Sequence, residues 1–335
     1  MDEDALIAAL TRDLPPGEGA LLGPGDDSAV LALADGRATI STDILVEGVH
    51  FRSAWSAGFD VGWRLAAQNL ADAATMGAVP RWLVVAVAGP PAALGGEWGA
   101  DFARGLGAYC RRWRVGVVGG DLSSAPVLVA SGTVVGDLEG REPVTRFGAR
   151  PGDVLAVSDA VATPPGSTPV WALGGSAAGL AWLAAKGEES ERIAEEVLAK
   201  AAVAAYLRPD PPLDLGKRAA LGRATAMIDI SDGLAKDAGR LAKASGVRAA
   251  VDPSSPALAG SMARWAPLAR ALGADQRDWV LAGGEDHAFL ATFPAGAGLP
   301  GGWHGIGKVS EPGPNGPGVE IAGWNPQTAG WDHFA

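Results

Sequence analysis

Along the first 140 residues, short apolar runs alternate with segments of helical spacing. Ala38-Thr39-Ile40-Ser41-Thr42-Asp43 is a β-branched run ending on a carboxylate, and Val61 to Met76 repeats Leu65, Asn69, Asp72 and Met76 at helical intervals. Asp72 therefore projects from a predicted helix. Trp82 to Ala88 reads as a buried strand and Trp98 to Trp113 as an amphipathic helix. Val115 to Val118 reads as a strand running into Gly119-Gly120-Asp121, and Val127 to Val135 supplies another. The predicted order is β-α-β-α-β-β.

The pattern breaks between Arg141 and Asp153, where Arg150-Pro151-Gly152-Asp153 is a turn signal. This predicts two domains, an N-terminal one over 1–140 and a C-terminal one over 150–335. In the second, Val154 to Ser158 is a strand and Ala162 to Pro169 a loop. Gly174-Gly175-Ser176-Ala177-Ala178-Gly179 leads into a helix reaching Lys186, and Glu188 to Leu207 is a helix stopped by Pro209. Ala226 to Ile230 is a strand delivering Asp229 and Asp232, followed by a helix from Leu234 to Ala244. Trp279 to Ala282 reaches the Gly283-Gly284 turn, and Ala288 to Phe293 is a further strand.

Composition narrows the function. The 335 residues are 48% hydrophobic, enough for two cores, and carry a net charge of -11 with no Lys/Arg stripe, which argues against nucleic acid as a partner. No apolar run approaches the ~20 residues that cross a bilayer, and the acidic start Met1-Asp2-Glu3-Asp4 is unlike a signal peptide. The expectation is a cytoplasmic protein without a membrane partner. A single cysteine, Cys110, excludes an intrachain disulfide. Glycine, at 48 residues, predicts many turns and close backbone approaches to ligand.

The chemistry-bearing residues are carboxylates. They stand in Gly25-Asp26-Asp27, Ser41-Thr42-Asp43, Asn69-Leu70-Ala71-Asp72, Gly119-Gly120-Asp121, Asp229-Ile230-Ser231-Asp232-Gly233, Asp237 and Gly283-Gly284-Glu285-Asp286. Any one of them is more often a turn residue or a helix N-cap, and Asp232, just ahead of a helix, is the strongest case for a cap. Together they would repel unless hard cations such as Mg²⁺ lay among them, which points to a metal-loaded phosphate site. No Walker A sequence is present, so a nucleotide would be held through Mg²⁺ and backbone amides. His50 follows the Asp43 cluster and reads either as a phosphate contact or as a half-buried histidine. Arg146 reads as a phosphate clamp or a surface ion pair. Trp331 reads as a packing staple or a stacking platform, and Tyr109 and Trp113 are candidates for gripping a base.

In this order the motifs resemble the thiamine-monophosphate kinase family, in the superfamily that includes aminoimidazole ribonucleotide synthetase and selenophosphate synthetase. The resemblance runs from Gly23-Pro24-Gly25-Asp26-Asp27 through Ser41 to Phe51, Asn69 to Ala78, Gly119-Gly120-Asp121, Thr145-Arg146, Ser176 to Leu180, Leu207-Arg208-Pro209, Ile228 to Leu234 and Gly283-Gly284-Glu285-Asp286 to Trp331-Asp332-His333-Phe334. It implies an α/β (α+β), two-domain aminoimidazole ribonucleotide synthetase-like fold whose N-terminal domain binds ATP and Mg²⁺ and dimerises through its sheet. It implies that Asp27, Ser41, Thr42, Asp43, Asp72, Asp121, Asp229 and Asp232 hold several Mg²⁺ ions, with K⁺ a further candidate cofactor. Gly120, Asp121, Arg146 and Ser231 would contact ATP, and His50, Glu285 and Trp331 would contact thiamine monophosphate. Asp121, Arg146 and Asp232 would carry catalysis.

Two departures stand out. His287-Ala288-Phe289 replaces the family's usual Tyr-Glu-Leu after Gly-Gly-Glu-Asp, and Ala162 to Leu173 is longer and richer in proline than expected. The implied reaction is in-line transfer of the γ-phosphate of ATP to thiamine monophosphate, giving thiamine diphosphate. The competing readings are another ATP-dependent enzyme of the superfamily, a metal-dependent phosphatase and a non-catalytic nucleotide or thiamine-phosphate-binding module. A selenophosphate synthetase would need a reactive cysteine near the N-terminus, and the hydrogenase-maturation relative a cysteine-bearing tail. This chain has neither.

Overall fold

The computed structural model describes residues 9–12, 14, 15, 17–22, 29–160, 172–185, 193–314 and 316–324. Asp26, Asp27, Trp331 and most of the Ala162 to Leu173 stretch lie outside these. The chain divides into two compact units, one of Met1–Ala74 with Ala78–Arg141 and one of Thr75–Gly77 with Glu142–Ala335.

The first unit is built on a four-stranded sheet. After a short ribbon of β1 (Ala20–Leu22) and β2 (Val30–Leu31) come β3 (Thr39–Val46), α1 (Gly58–Thr75), β4 (Val79–Gly89), the single turn α2 (Pro91–Leu94), α3 (Glu97–Trp113), β5 (Gly116–Ser124) and β6 (Val129–Asp137). The sheet order is β3-β6-β4-β5, with β6 antiparallel to both β3 and β4, and β5 parallel to β4. The parallel pair needs the α3 crossover, and the antiparallel pairs do not. One face of the sheet packs on the buried side of α1, through Leu65, Ala66, Leu70 and Ala73. Helices α1 and α3 cross at glycine. A Cβ on Gly58, Gly62 or Gly105 would strike the carbonyl of Trp98, Phe102 or Phe59 respectively, so part of the glycine content serves helix packing rather than turns.

The other sheet face is left open. Along β3 the side chains alternate, with Ser41, Asp43 and Leu45 less exposed and Ile40, Thr42 and Ile44 outward. Ile40 is 72% exposed, Ile44 49%, and Val84 of β4 38%.

The second unit has a six-stranded sheet in the order β12-β9-β11-β7-β10-β8, from β7 (Val154–Ser158), β8 (Ala226–Asp229), β9 (Arg248–Val251), β10 (Phe289–Phe293), β11 (Trp303–Ser310) and β12 (Gly318–Ile321). All pairs are antiparallel except β12 with β9. Its helices are α4 (Gly175–Ala185), α5 (Ile193–Leu207), α6 (Leu213–Leu221), α7 (Leu234–Ser245), α8 (Pro256–Leu272) and α9 (Gln276–Ala282). Leu155, Ile228, Leu241, Leu268, Val280 and Leu290 form the centre of one continuous core. Trp265 is buried within it, and its indole N–H donates to the Leu173 carbonyl at 3.0 Å. The apolar stretch ahead of Gly283 is helix α9. No helix among the described residues is long and apolar enough to cross a membrane.

Candidate functional site

In the first unit the structure brings β3 and α1 together through their polar side chains. Ser41 Oγ donates to Asp72 Oδ2 at 2.7 Å, and Asp43, two residues along, lies on the same side of the strand. Asn69, one helical turn before Asp72, is fully buried. Its amide leaves no room for a side chain at Gly132 of β6, where a Cβ would lie 2.6 Å from Nδ2. Thr42 does not join this group. It points to the open face, donates to the Gly132 carbonyl at 2.8 Å and lies 3.0 Å from the Thr133 hydroxyl, because adjacent residues of a strand face opposite ways.

Beyond β3 the chain turns tightly. Glu47 accepts from Ser53 Oγ and from the Leu128 amide, and the His50 amide donates to the Val46 carbonyl at 2.9 Å. His50 Nδ1 in turn accepts the Val46 N–H at 3.0 Å. In the neutral ring this acceptor role puts the proton on Nε2.

Gly119-Gly120-Asp121 lies inside β5 and not in a turn beyond it. Gly120 pairs with Val85, Asp121 with Ala86, and a register shift sits between Leu83 and Val84. A Cβ on Gly120 would strike the Val85 carbonyl, so only glycine allows the strands to stay paired. Beside these residues is an apolar cavity of about 200 Å³, lined by Leu10, Leu14, Phe102, Leu106, Val117 and the glycines. Tyr109 is fully buried against Trp63, with ring centroids 4.9 Å apart, and does not line the cavity. Trp113, half-buried at the end of α3, does not line it either. Cys110 is buried too, and desolvation pushes its thiol up to about 12, which leaves it inert.

In the second unit two segments continue past the paired ends of β8 and β10. Ile230 N–H donates to the Ala288 carbonyl at 2.7 Å, His287 N–H to Ile230 at 2.9 Å, and Glu285 N–H to Ser231 at 2.7 Å. Asp229, Ser231, Asp232 and Glu285 are thus drawn to one end of the sheet. Glu285 and His287 both take positive φ, 69° and 53°, a conformation unusual for non-glycine residues that costs on the order of 1 kcal/mol each. The tyrosine expected at 287 is replaced by a buried histidine whose Nδ1 lies 3.4 Å from Asp229 Oδ2.

Two acids of the sequence set are structural. Asp286 is buried and accepts the Gly174 N–H at 2.5 Å and the Ser176 N–H at 3.1 Å, which ties the turn to the start of α4. Burial pushes its carboxyl up to about 6, against those hydrogen bonds. Asp237 is also fully buried, and desolvation followed by the charge of Asp229 raises it to about 6. It accepts the Asp232 amide at 2.9 Å. The cap of α7 is Gly233, without a side-chain cap bond, so Asp232 is not the helix N-cap. Instead its carboxylate meets Arg240 and Lys236, a contact that spacing by four residues along a helix could have suggested. Arg146 is exposed, and among the described residues it forms no ion pair.

The donors in both units suit a hard cation. They are carboxylates and hydroxyls, and Mg²⁺ takes one or two carboxylates while keeping waters and substrate phosphates, without a full protein cage. No group of three or more His, Cys, Asp and Glu side chains is assembled for a metal among the described residues.

Residues 25–138 match the family model of AIR synthase related protein, N-terminal domain. Across 93% of the chain the fold is also similar to that of hydrogenase maturation protein HypE, with a TM-score of 0.67 at 17% identity, which speaks for the architecture alone. The architecture is thus that of the AIR synthase-related proteins. A thiamine-monophosphate kinase of Mycobacterium tuberculosis is 41% identical over 334 residues, covering 100% of this chain and 92% of that protein. The solved structure of AaThiL complexed with AMPPCP and TMP has a TM-score of 0.74 at 30% identity, covering 99% of this chain and 97% of that one. The chain belongs to the thiamine-monophosphate kinase family.

Proposed function

We propose that the protein phosphorylates thiamine monophosphate with ATP, giving thiamine diphosphate and ADP by direct in-line transfer. The observation that carries this reading is the all-oxygen donor set of Ser41, Asp43 and Asp72 in a chain similar over its full length to thiamine-monophosphate kinases. An acceptor phosphate monoester has a second pKa near ~6, so its attacking oxygen is ionised at neutral pH and no general base is required. What the protein must do is align two polyanions and offset their repulsion.

The residues divide this work. Asp43, Asp72, Asp121, Asp229 and Asp232, with Ser41 and Asp27, would hold Mg²⁺, which supplies charge neutralisation on the transferring phosphoryl group. Thr42 would contribute through its backbone, since its hydroxyl is engaged on the other face. The cavity beside Gly119 and Gly120 is apolar and would take the adenine, placing the triphosphate toward Asp121. Arg146 and Ser231 would bind its phosphates. His50, with its Nε2 proton as donor, Glu285 and Trp331 would orient thiamine monophosphate.

A homodimer completes the arrangement. Strands β3 and β5 are the opposite edges of the sheet, three strand spacings or ~14 Å apart, too far for Asp43 and Asp121 of one chain to share an ion. The open apolar face with Ile40, Ile44 and Val84 would pack on a second copy, whose Asp121 then meets the Asp43 edge. A cytoplasmic location belongs to the same reading.

Incubation of the purified protein with ATP, Mg²⁺ and thiamine monophosphate, followed by chromatography of the thiamine esters, tests the proposal. Thiamine diphosphate with equimolar ADP is expected. Release of free phosphate alone would support a phosphatase, and nucleotide binding without turnover a sensing module.

A further inference from the structure

Asp232 is gripped by two cations of the helix that follows it. Arg240 Nη2 donates to Asp232 Oδ2 at 2.5 Å, while Nη1 of the same guanidinium donates to Asp237 Oδ1 at 2.7 Å. Lys236 Nζ lies 3.4 Å from the same Asp232 oxygen. Lys236 and Arg240, four residues apart on α7, share a helix face, and Asp232, just ahead of the Gly233 cap, meets both. Asp237, fully buried and accepting the Asp232 amide, anchors one end of the guanidinium, whereas the end on Asp232 lies toward solvent, with Arg240 42% exposed.

We propose that Arg240 is a built-in counter-ion that competes with a divalent cation for Asp232 and thereby weakens that ion's binding. This rests on the reading of Asp232 as a metal ligand. A carboxylate oxygen that accepts a charged N–H has that lone pair occupied, and the guanidinium charge repels an approaching cation. Arg240 can release Asp232 and stay paired with Asp237. The cost of loading the metal is therefore one partly exposed ion pair, which corresponds to about fivefold in affinity, or about 1 kcal/mol. Arg240 pairs with Asp232 and Asp237, and the other ionisable groups at this end of the sheet are Asp229 on the preceding strand, His287 beside it, and Glu285 and Asp286 of the facing turn.

The test is titration of the full-length protein with Mn²⁺, with the unbound ion followed by electron paramagnetic resonance. Arg240→Gln should bind its weakest ion about fivefold more tightly than the parent. Because Arg240→Gln leaves Asp237 buried and uncompensated, the double variant Arg240→Gln/Asp237→Asn is measured as well. It keeps the net charge of the parent and should show the same gain, which separates release of Asp232 from a general change of charge. Asp232→Asn should lose that ion. If both Arg240 variants bind Mn²⁺ as the parent does, or more weakly, while Asp232→Asn weakens binding, competition is refuted and the ligand assignment stands. If Asp232→Asn has no effect, the ligand assignment itself falls.

Discussion

Gly284→Ala tests whether the turn carrying Glu285 must lie directly on the segment carrying Asp229 and Asp232. A Cβ at position 284 would lie well inside van der Waals contact distance of the Ser231 carbonyl oxygen and 3.3 Å from Asp232 Cα, against backbone on both counts. The two segments must therefore separate by roughly 1 Å, and the 2.7 Å hydrogen bond from Glu285 N–H to Ser231 is the first to break. Loss of that bond costs about 1 kcal/mol of stability. A displacement of this size at a site that aligns two phosphates costs about 100-fold in rate. Expected, then, is a kcat/KM about 100-fold below the parent in an ADP-release assay, with Tm lowered by only a few degrees. Gly239→Ala is the control. It sits inside α7 with Val319 at an ordinary 3.6 Å, and a helical alanine there should leave activity unchanged and raise stability by about 0.5–1 kcal/mol. Activity of Gly284→Ala within about twofold of the parent would refute the reasoning, because the close approach would then be irrelevant to the site.

Three further outcomes follow from the structure. Ile44→Asp, which places a charge on the open face of the first sheet, should convert the proposed dimer to monomer in analytical ultracentrifugation, and a parent that sediments as a monomer would remove the dimer from the proposal. Asp43→Asn and Asp121→Asn should each be inactive alone, yet an equal mixture refolded together should recover about a quarter of parent activity. Half of its dimers are mixed and each of those has one intact site; no recovery would mean that both acids act from the same chain. Asp286 has its folded pKa raised to about 6 from 3.8, so the native state holds more protons than the unfolded chain between these values. Stability from this group is full below the unfolded value and is lost as pH rises through about 6, by up to about 3 kcal/mol. Asp286→Asn should flatten the Tm profile over that window, and an identical slope in both proteins would assign the dependence elsewhere.

The order of elements in the first unit was legible from local pattern. The β3, α1, β4, α3, β5 and β6 succession follows from runs of period 2 and 3.6, which depend on near neighbours only. The helix over Trp279 to Ala282 and the short strands β9, β11 and β12 were not legible, because brief apolar stretches fit either period until their partners are known. Motif proximity also misled in one place. Ser41, Thr42 and Asp43 look like one cluster in the sequence, but the pleat sends Thr42 to the opposite face.

What the sequence alone determined is an acidic, oxygen-rich donor set strung on alternating strands and helices. Composition and short-range spacing are enough to state that. Only the tertiary structure decided which acids brace the backbone. Asp286 and Asp237 carry the same carboxyl group as Asp43 and Asp72, but the backbone amides of Gly174, Ser176 and Asp232 point at the first two. It also decided that Asp43 and Asp121 stand on opposite edges of one sheet, and that Arg240 covers Asp232. These are relations between residues distant in the chain or across a turn, set by strand order and packing, and no local pattern encodes them.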